Sequence, residues 1–423
     1  MKMKYLTTTF FYFTIHTLLA QGYLYIKAPR LFDGETLYEN KGILIRDNKI
    51  ETVDFQAVIE KNLPQGTQTL DLKNATLLPG LIEGHSHLLL HPYNETNWDD
   101  QVLKESRAER IARATVHAEK TLMAGFTTVR DLGTEGADYD DVGLKTAIEK
   151  GIIKGPRMIV ATRALIATGS YAPKGFSPDI TVPQGAEEAD GHDNLIQAVR
   201  RQIGKGADLI KIYADYRWGL RSDAQPTYSI DEIKLIVETA KSSGRPTVAH
   251  ASSAEGMRRA ILGGVSTLEH GDAGTPDIFK LMVAQNVCLC PTLAAGDAVS
   301  QYRGWRKGID PEPERIKQKR ETFKQALDAG VKICMGGDVG VFTHGDNARE
   351  MEMMVNYGMS PLETLKSATS INADVFQYPD KIGRLKAGLL ADIMAVEGNP
   401  VTDILAIRKV VLVVKDGKKV FSK

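Results

Sequence analysis

Residues 77–87 read LLPGLIEGHSH, an apolar run that ends in two histidines one residue apart. Alternate residues of a strand face the same way, so His85 and His87 project together from its end. Two imidazoles at that spacing can hold one divalent cation, although ordinary hydrogen bonds would satisfy either alone. Seven further short apolar runs follow: TTVRDLG (127–133), RMIVATRAL (157–165), DLIKIYAD (208–215), PTVAHAS (246–252), STLEHGD (266–272), VCLCPTL (287–293) and VKICMGGD (331–338). Most are followed by a helix-length segment. Ser229 and Glu232 form a capping box ahead of one such segment, and Ser360-Pro361 with Glu363 starts another. Gly125, Gly151, Gly244 and Gly330 stand where helices should stop. Strand–helix alternation repeated eight times predicts an α/β fold with a (β/α)8 (TIM) barrel over residues 80–379. Long connections follow the first, third and seventh runs. Loops at the C-terminal ends of barrel strands are where this fold builds its active site.

Outside that span the pattern is different. Residues 21–79 and 380–423 hold short strand-like runs separated by turn signals such as Asp33-Gly34, Asp47-Asn48 and Asp416-Gly417. Each piece is too small for a good core, which predicts one β-sandwich domain formed from both chain ends. Residues 1–20 have Lys2 and Lys4 followed by an uncharged stretch from Leu6 to Ala20. They read as a cleaved signal peptide, and the stretch is shorter than the roughly 20 residues of a spanning helix. The expected location is periplasmic or secreted, with no membrane attachment after cleavage.

Lys+Arg and Asp+Glu both number 53, so the formal charge is zero. That argues against nucleic acid as a partner, because phosphate backbones reward a basic excess. Hydrophobic residues make up 43% and charged residues 25%, the mix of a globular protein and not of a disordered one. Three cysteines are too few, and odd in number, for a disulfide scaffold.

The chemistry gathers at the ends of the runs. His250, His270 and Asp338 end three more of them, so four of the nine histidines terminate predicted strands. That concentration points to a metal site. Lys211 sits inside an apolar run, where an unpaired ammonium is costly. It could snorkel out, or pair with Asp208 or Asp215. Alternatively a lowered pKa would let it react with CO2 to give a carbamate, whose two oxygens can bridge two cations. His250 and His270 on the next two strands favour the carbamate.

Taken together, the GHSH strand, the strand lysine, two later strand-end histidines and the final GGD resemble the amidohydrolase superfamily in its binuclear, carboxylated-lysine form. The resemblance covers almost the whole mature chain, including GLLADIMAVEGNP (388–400). Within it, DLIKIYADYRWG, VAHAS and TLEHGD are similar to the Xaa-Pro dipeptidase (prolidase-like) and imidazolonepropionase-like branch. Relatives there often carry Thr-Gly-Gly-His after the third strand, where this chain has Thr168-Gly169-Ser170-Tyr171. The resemblance implies that His85, His87 and Asp338 hold the more buried metal and that His250 and His270 hold the more exposed one. Carboxylated Lys211 and a hydroxide would bridge them. It implies two divalent ions, with zinc the expected metal, and a homo-oligomer. Asp338 would take the proton of the attacking hydroxide and pass it to the leaving amine.

The expected partner is a small, peptide-like substrate. A dipeptidase must recognise a free carboxylate, which suits arginine. Tyr213 shares the face of Lys211, and Arg217 follows in the same loop. Arg163, Tyr171, Tyr228 and His344 also fall on barrel-top segments, and His91 could line the pocket. A packing or surface role is as open for each. His117 and His192 read as ordinary helix or loop residues, and Cys334 as core. The leading reading is a metal-dependent hydrolase of dipeptides or N-acyl amino acids with a C-terminal proline or apolar residue. Hydrolysis of a cyclic amide, a lactone or a related ester is the alternative on the same site. A non-catalytic binding protein is disfavoured by the complete ligand set.

Overall fold

The computed structural model describes residues 22–423; the expected leader lies outside the described residues. Seven of the eight runs form parallel strands, at Leu81–Ser86, Phe126–Asp131, Arg157–Val160, Ile210–Tyr213, Thr247–Ala251, Thr267–His270 and Cys288–Cys290. The first three pair side by side, and the last four pair in chain order. Backbone hydrogen bonds link the two groups, with Asp208 N donating to Val160 O at 2.8 Å. The eighth run makes only isolated bridges, Leu289 with Ile333 and Ser86 with Val339. Through Leu289 N to Lys332 O on one side, and Gly84 N to Met335 O on the other, the bonds return to the first strand.

Two segments depart from the expectation. The third run breaks: Thr162 takes a left-handed φ of 63°, and Leu165–Ile166 forms a separate short strand against Glu187–Glu188 and Ile212. The segment after Tyr213, read as a loop, folds into a hairpin of Asp215–Arg217 with Ala224–Pro226.

Helices follow the strands for the reasons the sequence suggested. Ile230–Lys241 has both halves of the Ser229/Glu232 capping box and buries Ile233, Ile236 and Ala240 on one stripe. Pro361–Ser367 is capped by the Ser360 side chain. The chain ends make two sheets. Tyr23–Lys27, Lys41–Arg46, Lys49–Phe55 and Gln68–Asp71 form one. In the other, Ile393–Glu397 pairs antiparallel with Ala75–Pro79, so C-terminal strands share a sheet with N-terminal ones. Ile26, Ile43, Leu77, Ile393 and Leu412 are among the buried residues of a common apolar cluster. All three cysteines are buried and free, Cys334 in a core cluster as read. Among the described residues, no helix is long and apolar enough to cross a membrane.

Candidate active site

The first and eighth runs approach closely because glycine lets them. A Cβ on Gly84 would lie 2.5 Å from Met335 O, and one on Gly336 would lie 2.7 Å from His85 N. This is the physical reason for glycine beside His85 and ahead of Asp338: any side chain would push the two runs apart. Val339 N then donates to His85 O, and His87 N donates to Val339 O. His270 and Asp338 both adopt left-handed backbone, at φ 76° and 62°. Such backbone in non-glycine residues concentrates at functional sites, where the surrounding structure holds it.

The result is a row of imidazoles. Ring centroids are 5.3 Å apart for His85–His87, 5.2 Å for His85–His270 and 4.3 Å for His250–His270. Asp338 Oδ1 lies 3.3 Å from His87 Nε2 and 3.5 Å from His85 Nε2. Ligand atoms of His85, His270 and Asp338 all lie within 4.8 Å of one another. Three rings are steered from behind through Nδ1. His85 donates to Glu269 Oε2 at 2.9 Å and His87 to Gly133 O at 2.8 Å, and His270 Nδ1 is 2.8 Å from Thr292 Oγ1. Their Nε2 atoms are left to face the site, the arrangement expected of metal-binding histidines. His250 differs, since its Nε2 has the acidic neighbour, Asp215 Oδ1 at 3.7 Å.

Charge follows from these contacts. Burial pulls His85 down to about 4 and His250 to about 3, so both rings are neutral lone-pair donors at neutral pH. Burial also opposes charge on His87, but the Asp338 carboxylate overrides it and lifts the ring to about 9. Burial would raise Asp338; His85 and His87 outweigh it and hold the carboxylate at about 2.

Lys211 is 1% exposed and its Nζ has no hydrogen-bond partner. Neither pairing considered for it occurs. Asp208 is taken by Lys145, at 2.7 Å, and Asp215 accepts from Ser252 and Ser253. Burial lowers its pKa and so favours the neutral amine. An unpartnered buried amine is the feature a carbamate would resolve, because its oxygens supply the missing ligands.

His85, His87, His250, His270 and Asp338 line one cavity of about 500 Å3, together with Tyr213, Arg217 and Tyr171. The connections after the first, third and seventh runs all reach it, through Tyr93, Tyr171 and Arg303 for example. Four candidates lie elsewhere. Tyr228 is fully buried in the main core and donates its hydroxyl to Ala189 O at 3.0 Å. Arg163 follows the left-handed turn at Thr162 and donates to Ala186 O. His91 is buried between Glu95 and Glu105. His344 stacks on His117 at 4.2 Å, has Nε2 3.0 Å from Leu90 O, and borders a separate cavity. His117 belongs to helix Arg107–Met123, and His192 is exposed beside Asp193.

Sequence reasoning missed several wall residues. Glu135, two residues past Gly133, sits among Tyr171, Tyr213 and Trp98. Its position at the end of the second run was the available signal. Arg303, Arg315 and Lys319 come from the long seventh connection, the last two on helix Glu314–Asp328, where Lys319 stands on the stripe of Ile316, Phe323 and Ala326 that turns inward. Beneath the site Arg130 ties Glu269 (2.8 Å) to the first strand through Gly84 O (2.7 Å).

Known proteins share the fold of this chain over nearly its whole length. A crystal structure of a Xaa-Pro dipeptidase with bound methionine in the active site superposes with a TM-score of 0.83 at 32% identity, covering 95% of this chain and 100% of that one. A prolidase complexed with N-methylphosphonate-L-proline gives 0.80 at 28% identity, over 95% and 100%. An ochratoxinase of Aspergillus niger is 30% identical over 92% of this chain and 84% of its own length. The amidohydrolase family profile matches residues 76–420. With that match over most of its length, the chain belongs to the amidohydrolase family and is a hydrolase acting on carbon–nitrogen bonds.

Proposed function

We propose that the chain is a metal-dependent hydrolase of peptide-like amides, acting on dipeptides or N-acyl amino acids with a C-terminal proline or apolar residue. The observation that carries it is the convergence of four imidazoles and Asp338 on one cavity, with the unpartnered amine of buried Lys211 5.8 Å from the centre of the Tyr213 ring that lines it. In this reading the circuit of parallel runs is a (β/α)8 barrel over residues 80–379, carried beside a β-sandwich of 21–79 and 380–423. Residues 1–20 direct export to the periplasm or medium, and the mature chain is a homo-oligomer.

The donor set fits a pair of divalent cations. Nitrogen ligands with shared oxygens suit zinc. His85, His87 and Asp338 would hold one ion, His250 and His270 the other, with carboxylated Lys211 between. When bound, the ions would supply hydroxide near neutral pH and polarise the scissile carbonyl. Asp338, ionised at neutral pH, accepts the proton of the attacking water and delivers it to the leaving amine. Elemental analysis should find about two transition-metal ions per chain. Chelation should abolish hydrolysis across a library of dipeptides and N-acyl amino acids, and re-addition of zinc should restore it. A fully metal-loaded protein that cleaves cyclic amides or lactones but no member of that library would reject the substrate class.

Arg217, on the hairpin after the fourth strand, lines the cavity with its guanidinium near Tyr216. We assign it to the substrate carboxylate. Arg217→Ala should raise KM by about tenfold or more for substrates with a free carboxylate and spare the matching amides. Equal loss on acid and amide would reject the assignment.

A further inference from the structure

Glu135 is a buried charge on this cavity wall that the reaction above does not use. It is 3% exposed, so water does little to support it. Its carboxylate meets three neutral donors: Tyr171 Oη at 2.5 Å and Trp98 Nε1 at 2.9 Å on Oε2, and Tyr213 Oη at 3.3 Å on Oε1. Among the described residues it makes no ion pair. Arg110 spends its guanidinium on backbone carbonyls, among them those of Thr134 and Glu135 at 2.8 Å each. A carboxylate offers about four acceptor positions, so Oε1, with one long bond, has capacity left.

The position is also built. Glu135 has left-handed backbone, φ 48°, and the two Arg110 bonds clamp it there. It adjoins the reacting centre as well. A Cβ added to Gly133 would lie 3.4 Å from Glu135 Oε1 and 3.8 Å from His87 Cε1. The three donors are neutral, so they satisfy hydrogen-bonding capacity but bring no positive charge to balance the carboxylate. His87, the ionisable neighbour across Gly133, is already paired with Asp338 at 3.3 Å, so a cationic ligand is the partner left to offset the cost of burying the Glu135 carboxylate.

We propose that Glu135 is a specificity residue that takes a cationic nitrogen of the substrate. The inference rests on the amide-hydrolase reading and deepens it. A substrate carboxylate is repelled from this wall and goes to the arginines, while an amine is drawn beside His87. The nitrogen is the α-ammonium of an N-terminal residue or, where the C-terminal residue is basic and not the proline or apolar residue proposed above, its side-chain ammonium.

Two matched pairs separate these sources. Alanylleucine and propionylleucine differ only in the α-amine. Alanyllysine and alanylnorleucine differ in the side-chain amine. Each pair is measured on the zinc-loaded enzyme and on Glu135→Gln, as kcat/KM where cleaved and as calorimetric affinity where not. The native enzyme should favour the cationic member of one pair by about tenfold or more. Glu135→Gln should bring that ratio to within about threefold. Collapse in the alanine pair assigns the α-ammonium, and collapse in the lysine pair assigns the side chain. No discrimination by the native enzyme, or equal losses on both members in the variant, overturns the proposal. Discrimination in binding with no member cleaved supports Glu135 and instead counts against the hydrolase reading.

Discussion

Asp338→Asn should abolish measurable turnover while leaving the protein folded. The two side chains are nearly the same size. Asp338 also has left-handed backbone at φ 62°, a conformation that asparagine tolerates better than any other residue except glycine. Backbone placement and packing therefore survive. What is lost is the carboxylate that His85 and His87 hold ionised, and with it a negative metal ligand and the proton carrier. General acid–base catalysis is worth about 10²–10⁴-fold, and the fall in kcat should be at least that large because ligation weakens too. The measurement is kcat together with bound metal and far-UV circular dichroism on the same sample. If the variant kept kcat within tenfold with both ions bound, the proton route through Asp338 would be wrong. His344 could not replace it, since that ring is stacked on His117 away from the cavity.

The parts of the site that repeat a strand pattern were legible. GHSH, TVAH, TLEH and GGD each end an apolar run, and the structure gathers all four on one cavity. The flanking runs were also legible as strands, because hairpin signals such as Asp416-Gly417 bound them. Irregular backbone was harder. Nothing in RMIVATRAL marks Thr162 as the residue that turns left-handed and splits the run, and that turn is what takes Arg163 away from the cavity. Tyr228 was misjudged because a residue just ahead of a helix cap can face either way. Here the neighbouring core claims it. Glu269 and Arg130 were invisible for a different reason. Their importance lies in pairing across 139 residues of sequence, which one-dimensional patterns do not carry.

That pair supports the second large prediction. Arg130 and Glu269 are almost completely buried. Burial works to raise the Glu269 carboxyl, but Arg130 and His85 hold it well below the ordinary carboxylate range. Arg130 also bonds Gly84 O and Thr267 Oγ1 and lies 4.0 Å over the Phe376 ring. Arg130→Met fills much of the space but strands Glu269 as an unpaired buried charge, which should cost about 3–5 kcal/mol in equilibrium denaturation. Adding Glu269→Gln removes that charge and keeps an oxygen to accept from His85 Nδ1, so the double variant should recover most of the loss. The same cycle reads function. Glu269 orients His85, and disturbing such a partner costs about 10–100-fold in metal affinity. Arg130→Met should thus weaken metal binding as well as stability, and the double variant should regain both together. A loss of under 1 kcal/mol in the single variant would mean that water or a shifted proton relieves Glu269, and that the Arg130 bridge does not hold the first strand in register with the metal ligands.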